Sequence, residues 1–397
     1  MVEPWLTIIG LNEDGIAGLC PAAQAALAQA PVIVGAARHL ALAQAGSRGL
    51  PWPLPFDPAP VLARRGQRTV VLASGDPFWW GAGSTLARRL APQEWRCYGQ
   101  PSTFSLVAAH LGWALQETVC LGLHNRPHEQ LLAHLAPGRQ LIALLSGGAA
   151  ALQLATWLDA HGWGASRLWL GECIGGPRAR WRSGTASALA RDLAQDPAHA
   201  PVCAALQAEG GTALPAVAGR ADDWFAHDGQ ITKAPVRAMT LAALRPWPGA
   251  LLWDLGAGSG SVAVEWCLAG GRALAVEQQA QRLRHIEDNR QRFGLQEALQ
   301  AIHGRTPQAL QGLPPPDAVF LGGGLNAALW QALLPLLPVG CRVVANAVAL
   351  QTQALLQQLH AAHGGELWQL QLAQAQPLGR MQAWQPARPL LQWSWQR

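Results

Sequence analysis

Short apolar runs alternate with Ala/Leu-rich stretches along nearly the whole chain. Short apolar runs bounded by Gly, Pro or polar clusters predict strands, and longer runs with helical apolar spacing predict helices. In the first half the predicted strands are Trp5–Gly10, Pro31–Gly35, Thr69–Ala73 and Arg96–Gly99, then about 118–123, 140–146, 167–173 and 201–207. Pro101-Ser102-Thr103 opens a helix, with Ser102 or Thr103 as its cap. Strand followed by helix, repeated, predicts an α/β chain with mainly parallel sheets. The first 210 residues read as two α/β subdomains divided near residue 100. Gly210-Gly211-Thr212 and the polar stretch Arg220-Ala221-Asp222-Asp223 interrupt the alternation, so residues 211–227 read as a linker. A second domain then spans 228–397, with strands at 250–255, 272–277, 298–302, 317–322 and 341–346 and a terminal antiparallel pair at 366–373 and 389–395. No internal repeat is seen, so the two halves read as different folds.

The pattern changes character at residues 251–261. The apolar strand Leu251-Leu252-Trp253 meets Asp254, and Gly256, Gly258 and Gly260 then alternate before an apolar helix. Alternating glycines let the backbone turn sharply and approach a ligand, and the following helix offers free N–H groups. Ala-Leu-Ala-Val-Glu ends the next strand at Glu277, where an acid suits the paired hydroxyls of a ribose. A nucleoside cofactor is therefore expected. A dinucleotide loop wants G-x-G-x-x-G or A, and its third position here is Ser261. Asp254 would repel a pyrophosphate but suits the cationic methionine end of S-adenosylmethionine (SAM). Asp254, Gly256, Gly258, Ser259, Gly260 and Glu277 are the expected cofactor contacts of this half.

Composition narrows the classes. Half of the residues are apolar and 13% are charged, as in a folded enzyme. Seven cysteines form no C-x-x-C pair, so no metal site is expected and the thiols read as core residues of a reducing compartment. No basic leader precedes an apolar stretch, and no apolar run reaches membrane-spanning length. A soluble cytoplasmic protein without membrane contact is expected. The net charge of +5 and pI near 9.1 suit a polyanionic small molecule. Arginines are scattered, and Tyr98 is the single tyrosine, so the basic and aromatic stripe of a nucleic-acid face is missing. Lys233 is the single lysine, a compact charge whose pKa responds to burial as that of Arg does not.

Several segments now carry a family resemblance. Ile9-Gly10-Leu11-Asn12-Glu13-Asp14-Gly15, Gly35-Ala36-Ala37-Arg38-His39-Leu40, Ser74-Gly75-Asp76-Pro77-Phe78-Trp79-Trp80-Gly81, Pro101-Ser102-Thr103 and Gly122-Leu123-His124-Asn125-Arg126-Pro127 belong to it, as does Gly171-Glu172-Cys173-Ile174-Gly175-Gly176-Pro177. They resemble the tetrapyrrole (precorrin) methylase fold. Asp228-Gly229-Gln230-Ile231-Thr232-Lys233, the glycine loop and Val319-Phe320-Leu321-Gly322-Gly323-Gly324 resemble the decarboxylating precorrin methyltransferase domain, a Rossmann-like class I SAM methyltransferase fold. Together they cover nearly the whole chain.

The resemblance implies two SAM sites and three events on one carboxylate-rich tetrapyrrole: methylation of meso carbons 5 and 15, and loss of carbon dioxide from the ring C acetate. It places Gly10, Gly75, Asp76, Ser102 and Thr103 at the first SAM site, with His124 and Arg126 among the residues expected to act on substrate. In the second half, Gln230, Thr232 and Lys233 are expected over the cofactor or substrate, with Lys233 pairing a carboxylate. Gly323, Gly324, Arg237 and Arg380 are the expected substrate contacts. A homo-oligomer is expected. The competing class is a SAM-dependent RNA or DNA base methyltransferase. That class usually carries Asn/Asp-Pro-Pro-aromatic after the fourth strand, where this chain reads Leu-Gly-Gly-Gly. A silent SAM-binding scaffold and a nicotinamide dehydrogenase fit the motifs less well.

Overall fold

The computed structural model describes residues 4–397 except 54 and 125. It divides into two compact units. The first holds the residues up to 128 and 134–213; the second holds 129–133 and 214–397.

The first unit contains two five-stranded sheets. In one, β1 (Leu6–Leu11), β2 (Val32–Gly35), β3 (Gly49–Pro51), β4 (Thr69–Ser74) and β5 (Trp95–Tyr98) take the order β3-β2-β4-β1-β5, all parallel. Central β1 is buried throughout. Its residues alternate between two clusters, Ile9 and Leu11 with Ile33 and Leu72 on one face, Leu6 and Ile8 with Val34 and Val71 on the other. A strand covered on both faces needs this continuous apolar run, and each buried Leu or Ile contributes roughly 1.5–3 kcal/mol.

The second sheet takes the order β6-β7-β10-β8-β9 from β6 (Val119–Gly122), β7 (Gln140–Leu144), β8 (Arg167–Glu172), β9 (Arg180–Thr185) and β10 (Val202–Gln207). Only β6 and β7 pair in parallel; the other three pairings are antiparallel. The mainly parallel pairing expected from sequence holds in the other two large sheets, and this sheet departs from it. The polar strand β9 follows β8 through a Gly-rich connection and pairs back upon it, with Arg180 opposite Glu172.

The second unit carries a seven-stranded sheet built from β11 (Leu251–Leu255), β12 (Arg272–Glu277), β13 (Leu299–His303), β14 (Ala318–Leu321), β15 (Arg342–Ala347), β16 (Glu366–Leu370) and β19 (Leu390–Gln396). The order is β13-β12-β11-β14-β15-β19-β16, with only β19 antiparallel to its neighbours. Trp253, Leu255, Val276, Leu321, Val343 and Trp393 meet in its main core. Between β16 and β19 the chain makes a separate hairpin of β17 (Ala373–Leu378) and β18 (Met381–Pro386). The strand order reverses between β11 and β14, which sets a crevice at their carboxyl ends.

The segment expected as a linker is in fact tied down. The N–H groups of Gly219 and Arg220 donate to Glu265, and that of Ala226 donates to Asn289.

Candidate functional sites

The glycine loop leaves β11 at the reversal point. Gly256, Gly258 and Gly260 have φ of 68°, 61° and 71°, a region other residues enter only with strain. A Cβ on Gly256 would lie 2.9 Å from the Gly323 carbonyl oxygen, so the loop and the triglycine segment after β14 abut. Glu277, at the end of β12, accepts from Gly258 N–H and Gln279 N–H, both at 2.9 Å. The N–H groups of Gly256 and Ala257 donate to the Val276 carbonyl. Most of the loop donors are therefore committed to the protein itself.

Asp254 sits beneath this loop, almost wholly buried. Its Oδ2 accepts from Ala263 N–H at 3.2 Å, at the start of the helix Ser261–Leu268, while its Oδ1 has no protein partner. Burial pushes the carboxyl up to about 7; the Ala263 bond opposes this and the Glu277 charge adds to it. A buried carboxylate oxygen without a donor, beside a loop cleared of side chains, fits a cationic group such as the methionine end of SAM.

The segment 226–233 runs over the loop. Asn289, fully buried, accepts from Ala226 N–H and donates to the Ala226 and Ser259 carbonyls. The Gln230 carbonyl lies 3.8 Å from where a Cβ of Gly258 would stand. Asp228 and the Gln230 side chain both receive Arg282. Thr232 contributes its carbonyl to Arg237. The cap of the helix Ala234–Leu244 comes from Asp222, which accepts from Ala234 N–H at 3.1 Å.

One expectation needs correction here. Arg237 cannot meet a substrate: its side chain is fully buried against Glu265, Asp222 and the carbonyls of Thr232 and Arg220, with Phe225 under its guanidinium. Arg380 stands at the turn of the β17–β18 hairpin, on a sheet separate from the one that carries the loop. Lys233 is more than half exposed and pairs with Asp222 at 3.3 Å. Gly323 and Gly324 do reach the crevice edge. A hollow of about 630 Å³ lies near it, lined by His303, Arg305, Thr306, Gln308 and Asn326 among others.

In the first unit a cleft of about 490 Å³ opens at the carboxyl ends of β1 and β4. Next to its lining residues Leu11, Ser74 and Asp76 the backbone packs closely. A Cβ on Gly10 would collide with the Gly75 carbonyl oxygen, and one on Gly75 (φ 50°) would lie 2.9 Å from that of Pro101. Gly10, Gly75 and Ser102, distant in sequence, thus converge. Ser102 is largely buried because its hydroxyl caps the helix Thr103–Leu111, accepting from Ser105 N–H. Asp76 folds onto Phe78 N–H, and both Asp76 and Thr103 line the cleft. His124 lines it too; burial lowers its pKa and the Arg126 charge adds to this. Asn125 of the same motif lies outside the described residues.

The cleft also holds residues that were quoted in the sequence motifs but given no role. Glu13, buried, pairs with Arg38 and with Arg178. Arg38 also donates to Ser74 at 3.0 Å, and His39 Nε2 shares hydrogen bonds with both. Burial, helped by the Arg38 charge, pushes His39 down to about 3, so it is neutral at physiological pH. Trp79 and Trp80 line the same cleft and stay about two-fifths exposed. Exposed tryptophans within a motif were the available signal.

A cleft at the carboxyl ends of β1 and β4 in one unit and an acid-flanked glycine loop at a strand-order reversal in the other define a chain of two methyltransferase units. Residues 6–190 match the family described as Tetrapyrrole (Corrin/Porphyrin) Methylases, and residues 223–397 match the Precorrin methyltransferase domain. The precorrin-6Y C(5,15)-methyltransferase [decarboxylating] of Sinorhizobium sp is 44% identical over 100% of this chain and 97% of its own length. Its namesake from Mycobacterium tuberculosis is 38% identical over 98% of this chain and 99% of its own length. The crystallised C-terminal domain of precorrin-6Y C5,15-methyltransferase from Rhodobacter capsulatus is 55% identical, spanning 46% of this chain and 100% of that domain, with a TM-score of 0.46. The chain belongs to the precorrin-6Y C(5,15)-methyltransferase (decarboxylating) family.

Proposed function

We propose that this chain methylates precorrin-6Y at meso carbons 5 and 15 and removes carbon dioxide from the ring C acetate, giving precorrin-8 for cobalamin synthesis. SAM serves both transfers at separate sites, one per unit. The N-terminal unit takes carbon 5, and the C-terminal unit takes carbon 15 and the decarboxylation. The observation that carries this reading is the buried, partnerless Oδ1 of Asp254 beside a glycine-cleared loop, in a chain that also holds a second, unrelated cleft at the carboxyl ends of β1 and β4.

SAM supplies an activated methyl group, so the protein is left with positioning. Asp254 would hold the ammonium, and Glu277 the ribose hydroxyls through lone pairs left over from Gly258 and Gln279. The segment 226–233 would exclude water above the loop. Gly323 and Gly324, without side chains, let the flat ring come close to the carboxyl edge. Gln230 and Thr232 line the approach, and Lys233 stands at its outer margin. In the first unit Gly10, Gly75, Asp76, Ser102 and Thr103 form the cofactor end, while His124 and Arg126 face the substrate.

The cell compartment is the cytoplasm; among the described residues no helix is long and apolar enough to cross a membrane. The protein acts as a homo-oligomer. Support comes from the β17–β18 hairpin, where Leu378, Met381 and Trp384 are 61%, 73% and 74% exposed. An isolated hairpin is marginal in water, and a second copy would cover it.

Mass spectrometry of the product made from precorrin-6Y and isotope-labelled SAM tests the reaction. Two labelled methyl groups and the loss of one carbon dioxide are expected; a product without label refutes it. Calorimetry tests the cofactor count, with two equivalents bound per chain expected.

A further inference from the structure

Phe78, Trp79 and Trp80 are three consecutive aromatics, each about two-fifths exposed. Each ring is pinned by a different neighbour. Phe78 lies 5.3 Å from Trp95 and Trp79 lies 5.1 Å from Phe104, between ring centres. Trp80 lies under the Arg126 guanidinium, 4.9 Å from the ring centre. Gly122 is cleared for it: a Cβ there would come within 2.9 Å of the indole. Trp80 also holds a φ of 59°, a left-handed backbone that a bulky residue adopts only against strain. Trp80 is thus held in a strained backbone, anchored on one side and still exposed on the other parts of its ring.

Trp79 and Trp80 line the same cleft as Arg38. Aromatic rings and a guanidinium in one cleft match a flat conjugated ring edged with carboxylates. The proposed cofactor end, by contrast, lies by the side-chain-poor contact where Gly10 meets Gly75.

We propose that Trp80, with Trp79 beside it, is the stacking platform for the macrocycle in the N-terminal cleft and a determinant of its ring specificity. This rests on the tetrapyrrole substrate proposed above. Trp80 holds the ring plane; the methyl transfer itself needs nothing from it.

The test uses the full chain with precorrin-6Y and labelled SAM, and NMR of the product to follow the two meso methyl groups separately. Trp80→Gly removes the ring and suits the left-handed backbone. It should raise the KM for the macrocycle in the N-terminal transfer by about 10-fold, the scale of one lost stacking contact. Its kcat should stay within about 2-fold, with SAM affinity by calorimetry and the C-terminal transfer unchanged, since a stacking group acts on ring binding alone. Trp80→Phe, which keeps a π-face, should recover most of the loss. An unchanged KM in Trp80→Gly overturns the proposal, as does a fall in SAM affinity in place of the KM effect. Should Trp80→Gly fail to fold, Trp80→Asn, which tolerates the same φ, decides by the same criteria. A wild-type chain that transfers no methyl to the macrocycle overturns the proposed function, and this proposal with it.

Discussion

The two sites solve one problem with different materials. In the C-terminal unit the proposed cofactor end is built from one continuous stretch, residues 254–260, with Glu277 a single strand away. Its acids are buried; Glu277 holds the Gly258 N–H, and the Val276 carbonyl holds those of Gly256 and Ala257. In the N-terminal unit the cleft is gathered from Arg38, Trp80, Ser102 and His124, which come from four separate segments of the chain. The first site is preorganised by hydrogen bonds within a loop. The second is preorganised by close backbone contact and by pinned aromatic rings. A site of the first kind should fail sharply when one group is lost, and a site of the second kind should fail by degrees.

The sharpest break expected is Asp254→Ala. Removing the buried carboxylate should cut the C-terminal transfer by more than about 100-fold, the scale of losing one partner of a buried charge contact. The N-terminal methyl should still appear, and the product mass checks both points. Loss of both transfers would show that the sites are not independent.

Arg237→Met should be next. It leaves Glu265 buried without its main cation and should cost about 3 kcal/mol of stability, read as a shift of the urea midpoint. Arg220 remains near Glu265 at 3.6 Å, which keeps the loss at the lower end of the usual range.

The pH dependence sharpens the comparison further. Asp254 titrates near 7 in the free protein, and a cationic partner needs it ionised. SAM affinity at the C-terminal site should therefore rise with pH up to about 7 and level off above it. Well below that point it should fall about tenfold per pH unit, with one proton released on binding. The folded pKa lies above the unfolded value, so Asp254 favours folding at low pH and opposes it as pH rises from about 4 to 7. Asp254→Asn should accordingly gain stability over wild type above pH 7 and lose that advantage below pH 4. At the N-terminal site the cofactor-end carboxylate, Asp76, is only half-buried and accepts from Phe78 N–H, and calorimetry at several pH values should find its affinity flatter.

The smallest effect is expected from Lys233→Arg. Its side chain is exposed and its ion pair with Asp222 can be kept by a guanidinium, so turnover should change less than about 2-fold. A larger loss would restore a direct role for the ammonium.

Most of the fold was legible in the sequence because buried strands carry long apolar runs. β1, β4, β11 and β12 are examples. The missed strands are β3, β9, β17 and β18. β3 has three residues, β9 is a polar edge strand, and the hairpin is exposed on nearly every residue. None of them buries a face, so none shows the alternation that reveals a strand. The glycine loop was legible for the same local reason that it works: strand, turn and acid lie in one short register. Arg237 was misread because a charged residue in a helix gives no sign of whether it faces a ligand or a buried Glu265 twenty-eight positions away. The Glu13–Arg38–His39–Ser74 cluster was missed because its members come from three separate segments that only folding unites.

The buried Arg237–Glu265 pair has one more consequence. Glu265 lies on the very helix whose first turn Asp254 caps, and it also grips the backbone at Gly219 and Arg220. The covering segment and the cofactor loop are therefore riveted to a common beam. Neither can breathe open alone; in hydrogen exchange the amides of 219–226 and 258–264 should be released together, and a donor molecule bound to the loop should slow both.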